Sequence, residues 1–121
     1  MKRYALSLTL ALVVGSLMVT VSAEAAFVST SGKVNLIRVQ DVGQLYGAPG
    51  DVIDVDVIFT LTTSPGKAFG FQLRTGTNQL TREGMLNLLR DAFNSNWTVI
   101  VEYNIEPGKN NGVASRVFVT R

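Results

Sequence analysis

Acidic side chains are the group in this sequence whose types and spacing could support chemistry. Asp51, Asp54 and Asp56 lie close together, and in an extended strand Asp54 and Asp56 share a face at about 7 Å. A retaining glycosidase needs two carboxyl groups about 5 to 5.5 Å apart, one with a raised pKa. Glu102 could supply the second carboxylate from another strand. Alternation along the strand predicts the simpler outcome, in which Asp54 and Asp56 lie on a solvated outer face.

Missing residue types exclude several classes of enzyme and metal site. The sequence has no cysteine and no histidine, so disulfides, cysteine–histidine zinc sites and serine–histidine–aspartate triads cannot form. The spacing of Asp51, Asp54 and Asp56 also differs from that of an EF-hand calcium loop. We expect no catalytic residue, no metal ligand and no cofactor. A hydrolase that uses Asp54, Asp56 or Glu102 is the less favoured alternative.

Residues 1–25 have the features of a secretory signal peptide. Lys2 and Arg3 precede an apolar run over residues 4–23, and cleavage fits after Ala23 or Ala25, where small residues stand. A single transmembrane anchor is the alternative, because about 20 apolar residues can span a bilayer. No basic stop-transfer cluster follows the run. We predict a periplasmic or secreted protein that meets the membrane only during export.

The predicted mature chain carries almost no net charge. Removing residues 1–25 changes the formal charge from +2 to +1, with nine basic and eight acidic side chains remaining. Nucleic-acid binding requires a concentrated positive surface, so we expect no nucleic-acid partner. The remainder divides into a flexible leader over residues 26–31 and one domain over residues 32–121.

Five strands and one helix are expected to build this domain. Ile53, Val55, Val57, Phe59 and Leu61 alternate with other residues at the period of a half-buried strand. By similar patterns the sequence predicts strands over residues 32–46, 51–62, 68–74, 97–104 and 113–120. A helix with an apolar Met, Leu and Phe face is expected between the third and fourth strands, capped by Thr81 and stopping at residues 94–96. Residues 107–112 are expected to form a hairpin loop, in which Asn111-Gly112 is the strongest turn signal.

The order β-β-β-α-β-β indicates a mainly β protein with a five-stranded, OB-like Greek-key barrel. Closure would let a small domain hold five strands without long exposed edges, and the helix would plug one end. Phe69 and Phe71 share a strand face and are expected in the core. An open five-stranded α+β sheet with the same order is the alternative.

The helix from Met85 to Phe93 and the strand from Trp97 to Tyr103 resemble those of the pentameric B subunits of bacterial A–B toxins. The similarity is to the subtilase-cytotoxin and typhoid-toxin type and covers about residues 32–121 by pattern. It implies a ring of five subunits and glycan binding at the ring's face. Those subunits usually carry a disulfide, which this chain cannot form. No sugar-contact residue is transferred from the family.

Aromatic residues near strand ends are the candidate contacts of such a module. Tyr46, Trp97 and Tyr103 combine apolar area with a polar group, and we predict that they contact a ligand or a neighbouring subunit. Ile58 and Ile100 are expected to point outward and to mark a subunit contact. The sequence thus favours a non-catalytic, homo-oligomeric binding module whose ligand is a glycan. A small structural or accessory protein of the cell envelope is the alternative.

Overall fold

The computed structural model describes residues 27–121, so the predicted signal peptide over residues 1–25 lies outside the described residues. The secondary structure follows the predicted order β-β-β-α-β-β. The elements are β1 (Val28–Val39), β2 (Val57–Leu61), β3 (Ala68–Phe71), α1 (Gln79–Ser95), β4 (Thr98–Asn104) and β5 (Gly112–Thr120).

The five strands form a closed barrel, which confirms the OB-like Greek-key prediction over the open sheet. Around the barrel the strands lie in the order β1-β2-β3-β5-β4, with β4 paired back to β1. Only β3 and β5 run parallel, and they pair at Phe69–Gly112 and Gly70–Val113. The long strand β1 pairs with β4 through its first half and with β2 through its second half. This arrangement is the one expected of an OB-fold.

Apolar side chains from alternate strand positions fill the barrel. Phe59 packs against Phe69 and Phe71 with ring centroids 5.5 and 6.5 Å away, so the prediction that Phe69 and Phe71 are core residues is confirmed. Met85, Leu89 and Ala92 of α1 are buried in the same cluster. Burial of each large apolar side chain stabilises the fold by about 1.5 to 3 kcal/mol.

The helix begins earlier than predicted, at Gln79 rather than after Thr81. Asn78 occupies the N-cap position and makes no side-chain capping hydrogen bond. The assignment of Thr81 as the cap is therefore wrong. The predicted stop is confirmed, because Asn96 at φ +56° ends α1 in the left-handed conformation that asparagine tolerates.

Strand boundaries also differ from the sequence prediction at both ends of β1, at the start of β2 and at the end of β3, which stops at Phe71 and not at residue 74. Residues 28–31, predicted as part of a flexible leader, belong to β1 and pair with β4 from Tyr103 to Ile100. Strand β1 ends at Val39, and β2 begins only at Val57. Backbone pairing with β4 orders residues 28–31, although residues 29–31 carry small polar side chains.

Residues 40–56, which we call the strap, leave the barrel and fold back over the outer surface of β2 and β3. Ile53 and Val55 of the strap form a second buried cluster with Ile58 and Ala68. Two backbone hydrogen bonds between Tyr46 and Ile53, of 2.8 and 2.9 Å, close the strap on itself. Ile58 is consequently covered by its own chain, and the prediction that it marks a subunit contact is wrong.

All three prolines of the chain lie in Pro-Gly turns. The turns span residues 48–51, 64–67 and 106–109, and each is closed by a hydrogen bond from its fourth N–H to its first carbonyl. Gly50, Gly66 and Gly108 have φ of +86°, +79° and +79°, as the third position of a type II turn requires. The tight turn between β4 and β5 therefore lies at Pro107-Gly108, within the predicted hairpin loop over residues 107–112, and not at its strongest turn signal, Asn111-Gly112.

Candidate functional site

An open cleft of about 420 Å³ lies where the strap meets the Pro-Gly turn before β3 and the connection between β4 and β5. OB-folds bind oligosaccharides and oligonucleotides in this region, on the face of the second and third strands. Val55 and Ile53 cover part of that face, so the cleft is the portion that stays open. It is lined by Tyr46, Gly47, Ala48, Asp51, Thr60, Gly66, Lys67, Ala68 and Asn111.

Hydrogen bonds between the loops fix the walls of the cleft. The Asp51 carboxylate accepts from the backbone N–H groups of Asn110 and Asn111 at 2.7 and 2.8 Å. The buried Asn111 amide donates to the carbonyl of Asp51 at 3.0 Å and accepts from the N–H of Ala68 at 3.0 Å. One asparagine thus joins the strap, β3 and the β4–β5 connection, which holds the cleft in a preformed shape.

Backbone packing beside Tyr46 requires glycine at the next position. Gly47 has φ of +124°, and a Cβ atom there would lie 2.2 Å from the carbonyl oxygen of Asp51. Because L residues rarely adopt this φ and the obstacle is backbone, a side chain would displace the turn. Gly47 therefore lets two parts of the strap, at Gly47 and at Asp51, come into close contact, and it places Tyr46 at the edge of the cleft.

The lining combines an aromatic ring, a cation and a hydroxyl group. Tyr46 is half-buried and packs against the second buried cluster, which the strap forms with Ile58 and Ala68. The Lys67 ammonium lies 5.3 Å from the centroid of the Tyr103 ring, and none of the carboxylates in residues 27–121 lies within 4.0 Å of it. Thr60 adds a hydroxyl group. Such a surface suits a ligand with an apolar face and many oxygen atoms.

Of the three predicted contact residues, only Tyr46 lines the cleft. Trp97 is half-buried against the barrel core, and the Arg121 guanidinium lies 5.3 Å from its ring centroid. Tyr103 is only 3% exposed and packs edge-on against Phe69 at 4.7 Å. Tyr103 is therefore a core residue, not a surface contact, and it reaches the cleft only through Lys67.

Sequence reasoning missed Lys67 and Asn111 as lining residues. Lys67 follows Pro65-Gly66 and Asn111 precedes Gly112, so the local sequence indicates only turns at both positions. How these turns bring distant segments together depends on the closed barrel. A signal was nevertheless present, because all three prolines precede glycine. Three rigid turns of one type in a short chain indicate loops with defined conformations, which is the usual setting of a binding site.

Each of the acidic residues Asp54, Asp56 and Glu102 is paired with an arginine. Arg74 binds both Asp54, with its shortest contact at 2.6 Å, and Asp56, at 3.2 Å. Asp56 is buried and also accepts from the N–H of Leu73 at 2.9 Å. The prediction of a solvated outer face is therefore correct for Asp54 and wrong for Asp56. Glu102 lies elsewhere and pairs with Arg116.

Arg74 lowers the pKa of Asp54, whereas a carboxyl group that acts as a general acid needs a raised pKa. Hydrogen bonds from Arg74 hold the pKa of Asp54 below its ordinary value of 3.8. The same hydrogen bonds to Asp54 and then to Asp56 hold the pKa of Arg74 above its usual range. The described geometry therefore suits a structural clamp that fastens the strap to the segment after β3.

We predict a pH dependence of stability that involves Asp54. Because the pKa of Asp54 is lower in the folded state, its contribution is complete above the unfolded value near 3.8 and is lost as the pH falls through the lower folded value. Asp54→Asn is expected to flatten the fall in unfolding free energy between neutral and acid pH. The effect should be small because this side chain is 51% exposed. Denaturant titrations at several pH values across that range measure the unfolding free energy. The same dependence of this free energy on pH in both proteins would contradict the prediction.

Comparisons with protein-family models, curated proteins and solved structures give no match to this chain. Residues 27–121 contain no helix with the length and hydropathy to cross a membrane. Within the same residues no three acidic side chains are grouped closely enough to hold a metal ion. The fold and the cleft are therefore the observations from which a function can be argued.

Proposed function

We propose that this protein is an exported, non-catalytic binding module that self-associates and takes a glycan in the cleft beside Tyr46. The observation that carries the proposal is the preformed cleft, whose walls are tied together by Asp51 and Asn111. Preorganised walls favour binding because no ordering of loops opposes it. The resemblance to toxin B subunits supports the glycan and the self-association.

The lining favours particular features in the glycan. Tyr46 offers an apolar ring surface on which the face of a sugar can stack. Lys67 lacks a carboxylate partner within the described part of the chain. An acidic group on the glycan would therefore form an ion pair with the Lys67 ammonium. We therefore expect acidic glycans to bind more tightly than neutral ones of the same size.

A glycan array containing neutral and acidic sugars tests the ligand. Tyr46→Ala and Lys67→Gln are each expected to weaken binding about tenfold, which corresponds to about 1.4 kcal/mol. Lys67→Gln should reduce binding of acidic glycans more than of neutral ones, because it removes the cation and keeps most of the side-chain length. Titration calorimetry on the best array hit gives the affinities.

Trp97→Ala is the control, because Trp97 does not line the cleft. This variant should keep wild-type affinity if it remains folded by circular dichroism. Loss of binding in Trp97→Ala together with normal binding in Tyr46→Ala would place the ligand elsewhere. Absence of any bound glycan on a broad array would refute the ligand part of the proposal.

A further inference from the structure

The outer face of β4 and β5 presents a small apolar and charged surface. The core contains Val99 and Val101 of β4 and Val117 of β5. Because side chains alternate along a strand, the residues next to these valines point outward. In the ladder, Ile100 lies opposite Phe118, and Glu102 lies opposite Arg116. Glu102 pairs with Arg116 and the next residue, Tyr103, pairs with Ala114, so residue 115 forms a bulge in β5.

This face stays exposed in the described chain. Phe118 is 43% exposed, and the side chain of Arg116 is 70% exposed. The Glu102–Arg116 contact is long, with the closest nitrogen and oxygen 3.5 Å apart, and an exposed pair of this kind adds little stability. An exposed apolar row beside a weakly paired set of opposite charges is typical of a protein–protein contact surface.

We propose that a second copy of this chain docks on the face formed by Ile100, Glu102, Arg116 and Phe118. The two charges stand side by side on neighbouring strands, about 5 Å apart across the ladder. Consider two copies packed through this face, with a two-fold axis that lies between the two faces, parallel to the strands and midway between β4 and β5. This rotation places β4 of each copy over β5 of the other. Ile100 then meets the partner's Phe118, and Glu102 meets the partner's Arg116.

Charge complementarity makes a second copy the fitting occupant. A two-fold interface must be complementary to itself, since each residue pair occurs twice. This face meets that condition in both rows, because the apolar row packs on an apolar row and each charge faces its opposite. Face-to-face packing with nearly aligned strands is also a common arrangement of β-sheets. The inference deepens the proposed self-association by naming its surface, and it does not depend on the glycan.

Charge reversal tests the face through a complementation experiment. Glu102→Arg places arginine against the partner's Arg116, and Arg116→Glu places glutamate against the partner's Glu102. Each variant alone is expected to weaken self-association about tenfold or more, because like charges then meet twice. An equimolar mixture of the two variants should associate again, since every contact in the mixed pair joins opposite charges.

Sedimentation equilibrium of the purified protein measures these masses, with Glu83→Arg and Arg90→Glu as controls. The control residues lie exposed on α1, and their reversal makes the same changes in net charge. We expect a mass of two chains for the wild type and both controls, and recovery of that mass in the mixture.

A single-chain mass for the wild type at about 100 μM would overturn both this face and the proposed self-association. A higher mass that neither charge reversal lowers, including a mass of five chains, would overturn this face alone. Self-association would then occur through another surface.

Discussion

Replacing Gly70 by alanine should lower the free energy of unfolding by about 3 kcal/mol. Gly70 lies in β3 beneath the strap, and a Cβ atom there would lie 2.5 Å from Cγ2 of Val55 and 2.8 Å from the carbonyl oxygen of Val57. Neither neighbour can move easily, because Val55 is β-branched and the oxygen belongs to the strand backbone. The added methyl group must therefore lift the strap or bend the barrel wall. Urea denaturation measures the loss.

Gly84→Ala provides the matched control for this prediction. The same methyl group added at Gly84 would meet no atom within 4 Å, and the position lies inside α1. Alanine should therefore stabilise the protein by about 0.5 to 1 kcal/mol through helix propensity. Opposite signs at the two positions are expected from the same chemical change. Equal effects would mean that the strap does not press on β3.

Removal of the Asp56 carboxylate is expected to cost about 2 to 3 kcal/mol of stability. Asp56→Ala leaves the N–H of Leu73 without its acceptor and removes a buried partner of Arg74. Arg74 keeps its contacts with Asp54, which limits the loss to less than that of breaking an isolated buried ion pair. Equilibrium unfolding in urea at neutral pH provides the measurement.

Asp54→Ala separates this buried clamp from a surface charge effect. Both carboxylates bind Arg74, but the side chain of Asp54 is 51% exposed and that of Asp56 only 3%. The Asp54 variant should therefore lose much less stability than the Asp56 variant. A loss at Asp54 as large as that at Asp56 would show that the ion pair itself, and not burial of the hydrogen-bonded carboxylate, secures the strap.

The barrel could be predicted from the sequence because its strands follow a simple rule. Phe59, Phe69 and Phe71 occupy alternate positions and face inward as that period demands. The helix was equally visible, since Met85, Leu89 and Ala92 recur at helical spacing. Local pattern and tertiary burial agree at these positions, so the order of the elements along the chain could be predicted. Closure was favoured because that order is the one of an OB-fold, and the sequence pattern alone did not exclude an open sheet.

The strap could not be predicted, because its conformation depends on contacts that the pattern does not contain. Ile53 and Val55 alternate with acidic residues as a strand would, and they are buried in the expected way. Their burial comes from packing on Ile58 and Ala68 of the outer surface, not from the barrel interior. Asp56 is buried because Arg74 and Leu73, from the segment after β3, satisfy its oxygens.

The candidate cleft was predicted only in part, through Tyr46. Asn111 looked like a turn residue because Asn-Gly is the strongest hairpin signal, but the Pro107-Gly108 turn already reverses the chain. That leaves the Asn111 side chain free to enter the interior, where it bonds to Asp51 and Ala68. The hydroxyl of Tyr103 and its position near a strand end predict a surface contact, whereas its ring packs against Phe69 in the core.

The parallel pairing of β3 with β5 has a consequence for how the chain folds. Two ladder positions, Phe69–Gly112 and Gly70–Val113, complete the cylinder, and β1 finds its second neighbour only in β4. A nascent chain in which residues 112–120 have not yet been added cannot complete the wall. Such distant pairings slow folding, because chain entropy is lost before contacts compensate. The barrel can therefore close only after β5 has been synthesised.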